Sequence, residues 1–280
     1  MPALVLEGGT FRPIFSCGIM DALNDYNIEF PYVIGVSAGI TDGVSYVSKQ
    51  RGRNYDMFMK YRNDPRYFGV RNIPFDRSIF GVHFIFEYMP NELFPFDWDT
   101  YYNSGVEVKA AVTDAVTAEV EYLDGMELEP TCTILKATTA QPIVFPPVFF
   151  KGKQYFDGGI VDSIPAKKAY EDGHHKQLII LTQPEGYVKT LEPAVIADAF
   201  LIRRQYPAIS EALKNRHNVY NEQIEYVKKL EESKEALVLR PAEEYQVKSL
   251  ESDLEKLDRL YRYGYDLAVS RMDEIKKLFV

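Results

Sequence analysis

The twelve residues Tyr32 to Gly43, Y-V-I-G-V-S-A-G-I-T-D-G, decide how the rest of the chain is read. The apolar run Tyr32 to Ile34 predicts a short strand, and Ile40, Val44 and Val47 recur at helical spacing, predicting a helix over 37–50. Between them, Gly35-Val36-Ser37-Ala38-Gly39 has the G-x-S-x-G form of a nucleophile elbow, a sharp turn that lifts a serine hydroxyl above the sheet edge. Gly35 and Gly39 suit such a turn, because side chains two residues before and after the serine would collide as the chain reverses. Taken alone the pattern also fits an ordinary βα turn. The strand before it and the helix after it favour the elbow.

Working outward, Ala3 to Leu6 is a continuous apolar run ending at Glu7-Gly8-Gly9, as expected of a strand buried on both faces of a parallel sheet. Ile14, Cys17, Met20 and Leu23 then keep a helical rhythm to about Tyr26. Two βα units in the first fifty residues predict an α/β fold, a mainly parallel sheet covered by helices.

Aromatic residues crowd 54–104, where prolines 65, 74, 90 and 95 predict short, irregular pieces. They read either as a packed flank of the core or as the apolar wall of a pocket for an acyl chain. Downstream, 107–113 and 118–123 predict two strands joined by a turn, and 131–139 a short helix. Gln154 to Phe156 is a strand stopping at Asp157-Gly158-Gly159, Ser163 and Pro165 open a helix to about Glu171, and Leu178 to Leu181 is another buried strand. Past Pro193 the composition shifts to helix formers and charge. Helices are predicted over 194–233, a strand over 236–239, and one helix over 243–278 with Leu250, Leu254, Leu257 and Leu260 on a single face. The expected division is a catalytic domain over 1–190 and a helical C-terminal extension over 191–280, packed on the sheet with its Glu and Lys in solvent.

The 280 residues are 46% hydrophobic and 26% charged, enough for one large α/β domain with a full core. A net charge of −9 argues against nucleic acid and against broad attraction to anionic membrane, so any membrane-surface contact is expected to be transient, local and apolar. Cys17 and Cys132 are too few and too far apart for a disulfide framework or a zinc site. No basic leader begins the chain and no apolar run reaches the length of a membrane span. Cytoplasmic placement is the expectation.

A serine hydroxyl attacks only when a base takes its proton and prearranged donors meet the oxyanion. Ser37 is the nucleophile candidate. Gly8, Gly9 and Thr10, between a strand end and a helix start, could turn backbone N–H groups outward, and Arg12 is either a surface charge or a cation beside the site. The histidines are His83, His174, His175 and His217; His174 and His175 follow a predicted helix end and read as a solvated cap. Asp157 is the rival base. It ends a strand, glycines leave it accessible, and the apolar run before it predicts a desolvated carboxylate, which is a stronger base. A hydrolase with a histidine triad usually carries its serine elbow deeper in the sheet, which favours the aspartate here.

With these residues together, the chain resembles the patatin-like phospholipases, a family that uses a Ser/Asp dyad without histidine. The family's G-G-G-x-R-G loop is matched by Gly8-Gly9-Thr10-Phe11-Arg12-Pro13, its G-x-S-x-G by Gly35 to Gly39, and its D-G-G by Asp157-Gly158-Gly159, in the family's order, and the likeness spans about residues 3–183. The resemblance implies a three-layer α/β/α sandwich and hydrolysis of carboxylic esters in acyl lipids or lysophospholipids, with no metal or cofactor. Ser37 would be nucleophile and Asp157 base, with the Gly8, Gly9 and Thr10 amides as oxyanion hole. Thr10 and Pro13 depart from the family's glycines. Thr10 keeps its amide but narrows the loop, and Pro13 lacks one only where a first helical turn leaves it unpaired anyway. Two rival expectations remain: a catalytically weak fatty-acid or acyl-lipid binding protein, and an esterase with a conventional triad completed by His174 or His175.

Overall fold

The computed structural model describes residues 1–280. Its elements run β1 (Ala3–Leu6), α1 (Ile14–Asp25), β2 (Tyr32–Val36), α2 (Ala38–Val47), α3 (Arg53–Tyr61), α4 (Ile73–Asp76), α5 (Trp98–Tyr102), β3 (Glu107–Asp114), β4 (Val120–Asp124), α6 (Thr133–Thr139), β5 (Val148–Phe150), β6 (Lys153–Asp157), α7 (Ala166–Glu171), β7 (Gln177–Ile180), α8 (Pro193–Ile202), α9 (Pro207–Glu232), β8 (Ala236–Leu239), α10 (Leu254–Ser270) and α11 (Met272–Lys277).

One eight-stranded sheet carries the order β5-β6-β3-β2-β1-β7-β8, with β4 also paired to β3. The strands from β3 to β8 in that order are parallel, while β4 and β6 run antiparallel to β3. Alternation along each strand sorts the core into two layers. Leu4, Leu6, Val33, Leu178 and Ile180 face a cluster built with α1, α2 and α10, while Ala3, Val5, Tyr32, Ile34 and Ile179 face one built with α7 and α9. Continuous apolar strands are thus explained by burial on both faces, and the three-layer α/β/α sandwich follows. Each fully buried Leu or Ile side chain contributes roughly 1.5–3 kcal/mol to that packing.

The segment after residue 190 is built into this sheet, since β8 pairs in parallel with β7. Helix α10 packs against α1 through two glycines. A Cβ on Gly18 would lie 2.1 Å from the Tyr261 carbonyl oxygen, and one on Gly264 would lie 2.3 Å from that of Phe15. Backbone therefore meets backbone at this crossing.

Three local expectations need correction. The single helix over 243–278 is replaced by one 3₁₀ turn at Glu243–Tyr245, an irregular stretch, and then α10. The break has a cause at Asp253, whose side chain accepts from the amides of Glu255 and Lys256 and so starts a new helix there. Leu250 lies outside it, 48% exposed. Pro90 does not break its segment but sits inside a wide, π-type helix at Phe84–Leu93, where the i to i−4 ladder that a proline disrupts is not the pattern in use. Ser163 does not cap α7; its hydroxyl donates to the Gly159 carbonyl instead.

Candidate active site

The register of β3 brings the site together. Tyr32 to Val36 of β2 pair with Glu107 to Ala111, and β6 pairs with Val112 to Asp114, placing Asp157 opposite Val112. Because β4 covers Lys109 to Thr113 along one edge of β3, both β2 and β6 must occupy the other edge. They meet there with their C-terminal ends facing, so the residue after β2 and the last residue of β6 become neighbours. Those residues are Ser37 and Asp157.

Ser37 adopts φ 55° and ψ −135°, a sparsely populated conformation that costs on the order of 1–3 kcal/mol and is held by its surroundings. Its N–H donates to Thr138 Oγ1 at 2.9 Å, and Thr138 in turn donates to the Ala111 carbonyl at 2.6 Å. Gly39 permits the turn to close on β1, because a Cβ there would lie 2.5 Å from the Glu7 carbonyl oxygen. Gly158 does the same beside Asp157, with a Cβ placed 2.3 Å from the Ala111 carbonyl. Gly35 is likewise tight against Leu6, and Gly159 gives its amide to the Asp157 carboxylate.

The Ser37 hydroxyl donates to Asp157 Oδ2 at 2.8 Å, while Oδ1 accepts from the Gly159 amide at 2.7 Å. Burial pushes the Asp157 pKa above the usual carboxylate range, and the Arg216 guanidinium, then the Gly159 and Ser37 hydrogen bonds, pull it back. A desolvated but ionisable carboxylate in contact with a serine hydroxyl can accept its proton. Arg216 comes from α9 and also donates from Nε to the Gly159 carbonyl at 2.5 Å.

Across from Ser37, the amides of Gly8, Gly9 and Thr10 donate to no protein acceptor. Gly8 is close-packed on the elbow, since a Cβ there would lie 3.1 Å from Ser37 Cβ. Thr10 has φ 59°, a left-handed conformation that a β-branched residue adopts only under constraint. The constraint comes from the C-terminal segment: Ser249 Oγ bonds Thr10 Oγ1 at 3.2 Å, and the Phe11 amide donates to the Ser249 carbonyl at 3.2 Å. Pro13 precedes the first turn of α1 with φ −60°, where its missing N–H leaves no gap. Arg12 lies beside the site, its Nε 3.4 Å from Thr182 Oγ1.

Two lobes meet at Ser37. One, of about 410 Å³, is walled by Phe11, Phe58, Tyr67, Phe80, Phe86 and Phe145, of which all but Phe145 belong to the same buried core as Phe84, Phe96 and Tyr101, so the aromatic stretch is both packed flank and cavity wall. The other, of about 200 Å³, is polar and includes Glu7, Arg12, Lys189, Arg216, His217 and Tyr220. His174 stacks on Tyr32 at the opposite end of β2 from Ser37, His175 packs on Tyr170, and His83 pairs with Glu87. His217 shares the polar lobe without a hydrogen bond to Ser37 or Asp157. Sequence reading missed Thr138 and Arg216. The latter's only signal was its place between Leu213 and Tyr220 on one face of a helix, all three lining the polar lobe.

The chain is thus a three-layer α/β/α sandwich with a serine elbow facing a strand-end carboxylate. Residues 4–170, more than half of the chain, match the family described as patatin-like phospholipase, and the chain belongs to that family. Residues 206–280 match a domain of unknown function, DUF6363. The uncharacterized protein YjjU of Escherichia coli K12 is 27% identical over 191 residues, covering 65% of this chain and 52% of its own. The chain thus spans about half the length of that curated relative. Among solved structures, VipD from Legionella pneumophila superposes with a TM-score of 0.49 at 13% identity, over 98% of this chain and 67% of the other. No helix is long and apolar enough to cross a membrane.

Proposed function

We propose that the protein is a serine hydrolase that cleaves carboxylic esters of acyl lipids or lysophospholipids through a Ser37/Asp157 dyad. The observation that carries this is the 2.8 Å bond from Ser37 Oγ to Asp157 Oδ2, on a strained elbow facing three unpaired amides. Asp157 takes the hydroxyl proton as Ser37 attacks the ester carbonyl, and the Gly8, Gly9 and Thr10 amides receive the developing oxyanion. The alcohol leaves with that proton. Water, deprotonated in turn by Asp157, then attacks the acyl-serine carbonyl, and Asp157 returns that proton to Ser37 Oγ as the fatty acid leaves. The aromatic lobe accepts the acyl chain. Cytoplasmic placement belongs to this reading, supported by two buried, unpaired cysteines.

A fluorophosphonate probe is expected to label Ser37 in the wild type and not in Ser37→Ala. Ser37→Ala and Asp157→Asn should each lower kcat/KM on p-nitrophenyl esters by about 10⁴-fold or more. Full activity in Asp157→Asn rules out the dyad. Fatty-acid binding without labelling or turnover would instead identify a binding protein.

A further inference from the structure

The aromatic lobe contains a buried carboxylate that the proposed chemistry does not use. Asp42 stands five residues past Ser37 on α2, and Ala38, Thr41 and Asp42 form the stripe of that helix that lines the lobe. A helical rise of about 1.5 Å per residue carries Asp42 about 7 Å along the axis from the elbow. Asp42 also lines a second cavity, of about 60 Å³, whose wall shares Thr41, Phe58, Tyr67, Ile85 and Phe86 with the lobe. It therefore sits where the two spaces join.

Asp42 is only 5% exposed, yet its Oδ2 has no hydrogen-bond partner. The polar groups around it are committed elsewhere. Arg53 donates from Nε and Nη2 to the Phe94 carbonyl and from Nη1 to Ser45 Oγ, and Asn54 Nδ2 donates to the main-chain carbonyl of Asp42 rather than to its carboxylate. Burial pushes the Asp42 pKa up to about 7, and the Cys17 thiol, then the Arg53 charge, draw it partly back. The Tyr67 hydroxyl is raised above the usual phenol range by burial and by the Asp42 charge, so these two polar groups lie near one another on the shared wall. A carboxylate oxygen without a donor is costly in an apolar cavity, and a hydroxyl brought in by a ligand removes that cost.

We propose that Asp42 is a specificity-determining residue that accepts a hydrogen bond from a hydroxyl on the acyl chain, so that the favoured substrates are esters of fatty acids hydroxylated in mid-chain. The proposal rests on the esterase reading, in which the aromatic lobe takes the acyl chain. A chain running from Ser37 along this stripe of α2 meets the carboxylate part-way along its length, beyond its first carbons. A wall built only of Phe, Tyr and Ile would not distinguish such a chain from a plain one, whereas a site that pairs a substrate hydroxyl rejects the analogue lacking it.

The test measures kcat/KM for p-nitrophenyl esters of decanoic acid and of its 6-, 7- and 8-hydroxy derivatives in the wild type, Asp42→Leu and Asp42→Asn. Calorimetry with the corresponding free acids adds a readout that needs no turnover. The wild type is expected to prefer at least one hydroxy isomer over decanoate by about 10-fold or more. Asp42→Leu, similar in size but without an acceptor, should lose that preference, and Asp42→Asn, whose amide oxygen still accepts, should keep part of it. If the wild type favours no hydroxy isomer, or if Asp42→Leu retains the preference, the proposal is overturned. It is overturned too if the hydroxyl is favoured only on the alcohol side, in hydroxydecyl against decyl acetate, since the lobe would then hold the alcohol. Hydroxy-acid binding that is lost in Asp42→Leu, in a protein that cleaves no ester, would retain the Asp42 site and discard the esterase reading.

Discussion

The two walls of the cleft around Ser37 are made differently. On one side stand the Gly8–Thr10 loop, the elbow and Asp157, each ending or following a strand of the sheet, with glycines where backbones touch. On the other stand Lys189, Arg216 and Ser249, which reach the site from a loop, a long helix and an irregular stretch far along the chain. The first wall is fixed by strand register and the second by how the C-terminal third packs. The proposed nucleophile and base belong to the first; charge and loop conformation are set from the second.

That division can be broken most severely at the α1–α10 crossing. Gly264→Leu should cost roughly 3 kcal/mol or prevent folding, because its side chain has no room beside the Phe15 backbone. An unchanged denaturation midpoint would mean that the C-terminal third is not held there. A finer test uses Arg216→Met, in which Asp157 loses the charge that draws its pKa down. As the proposed base the carboxylate must be ionised, so the acid limb of kcat/KM should move to higher pH. Activity at neutral pH should fall about 10-fold, with partial recovery in Arg216→Lys. An unmoved limb would confine Arg216 to holding the Gly159 carbonyl. The smallest effect is expected at Thr10→Gly, which should stabilise the fold by about 0.5–1 kcal/mol by relieving a left-handed threonine. A loss of stability would show that the Ser249 contact outweighs the strain.

The same contrast explains what was legible in the sequence. Ser37 and Asp157 could be found because each sits in a short stretch whose neighbours announce a strand end, and glycine is the price of close backbone approach there. The sandwich was legible too, since runs such as A-L-V-L admit burial on both faces. Arg216 was not, because an arginine on a charged helix looks like its solvated neighbours until the helix is placed. Leu250 misled the reading in the opposite direction, continuing a leucine spacing that Asp253 had already ended. Thr138 carries no local signal at all; its hydroxyl matters only because α6 delivers it between the Ser37 amide and the Ala111 carbonyl.

The end-to-end meeting of β2 and β6 along one edge of β3 has an evolutionary consequence. Slipping β6 by one residue would carry the carboxylate about 3.4 Å along the edge and turn its side chain to the other face. The spacing between Ser37 and Asp157 therefore changes in steps, never by gradual drift. Loops such as 141–147, between α6 and β5, are free to vary in length only where the pairing of Asp157 with Val112 survives. Insertions that preserve that pairing should persist among descendants of this chain, whereas a single-residue deletion within β6 should silence it at once.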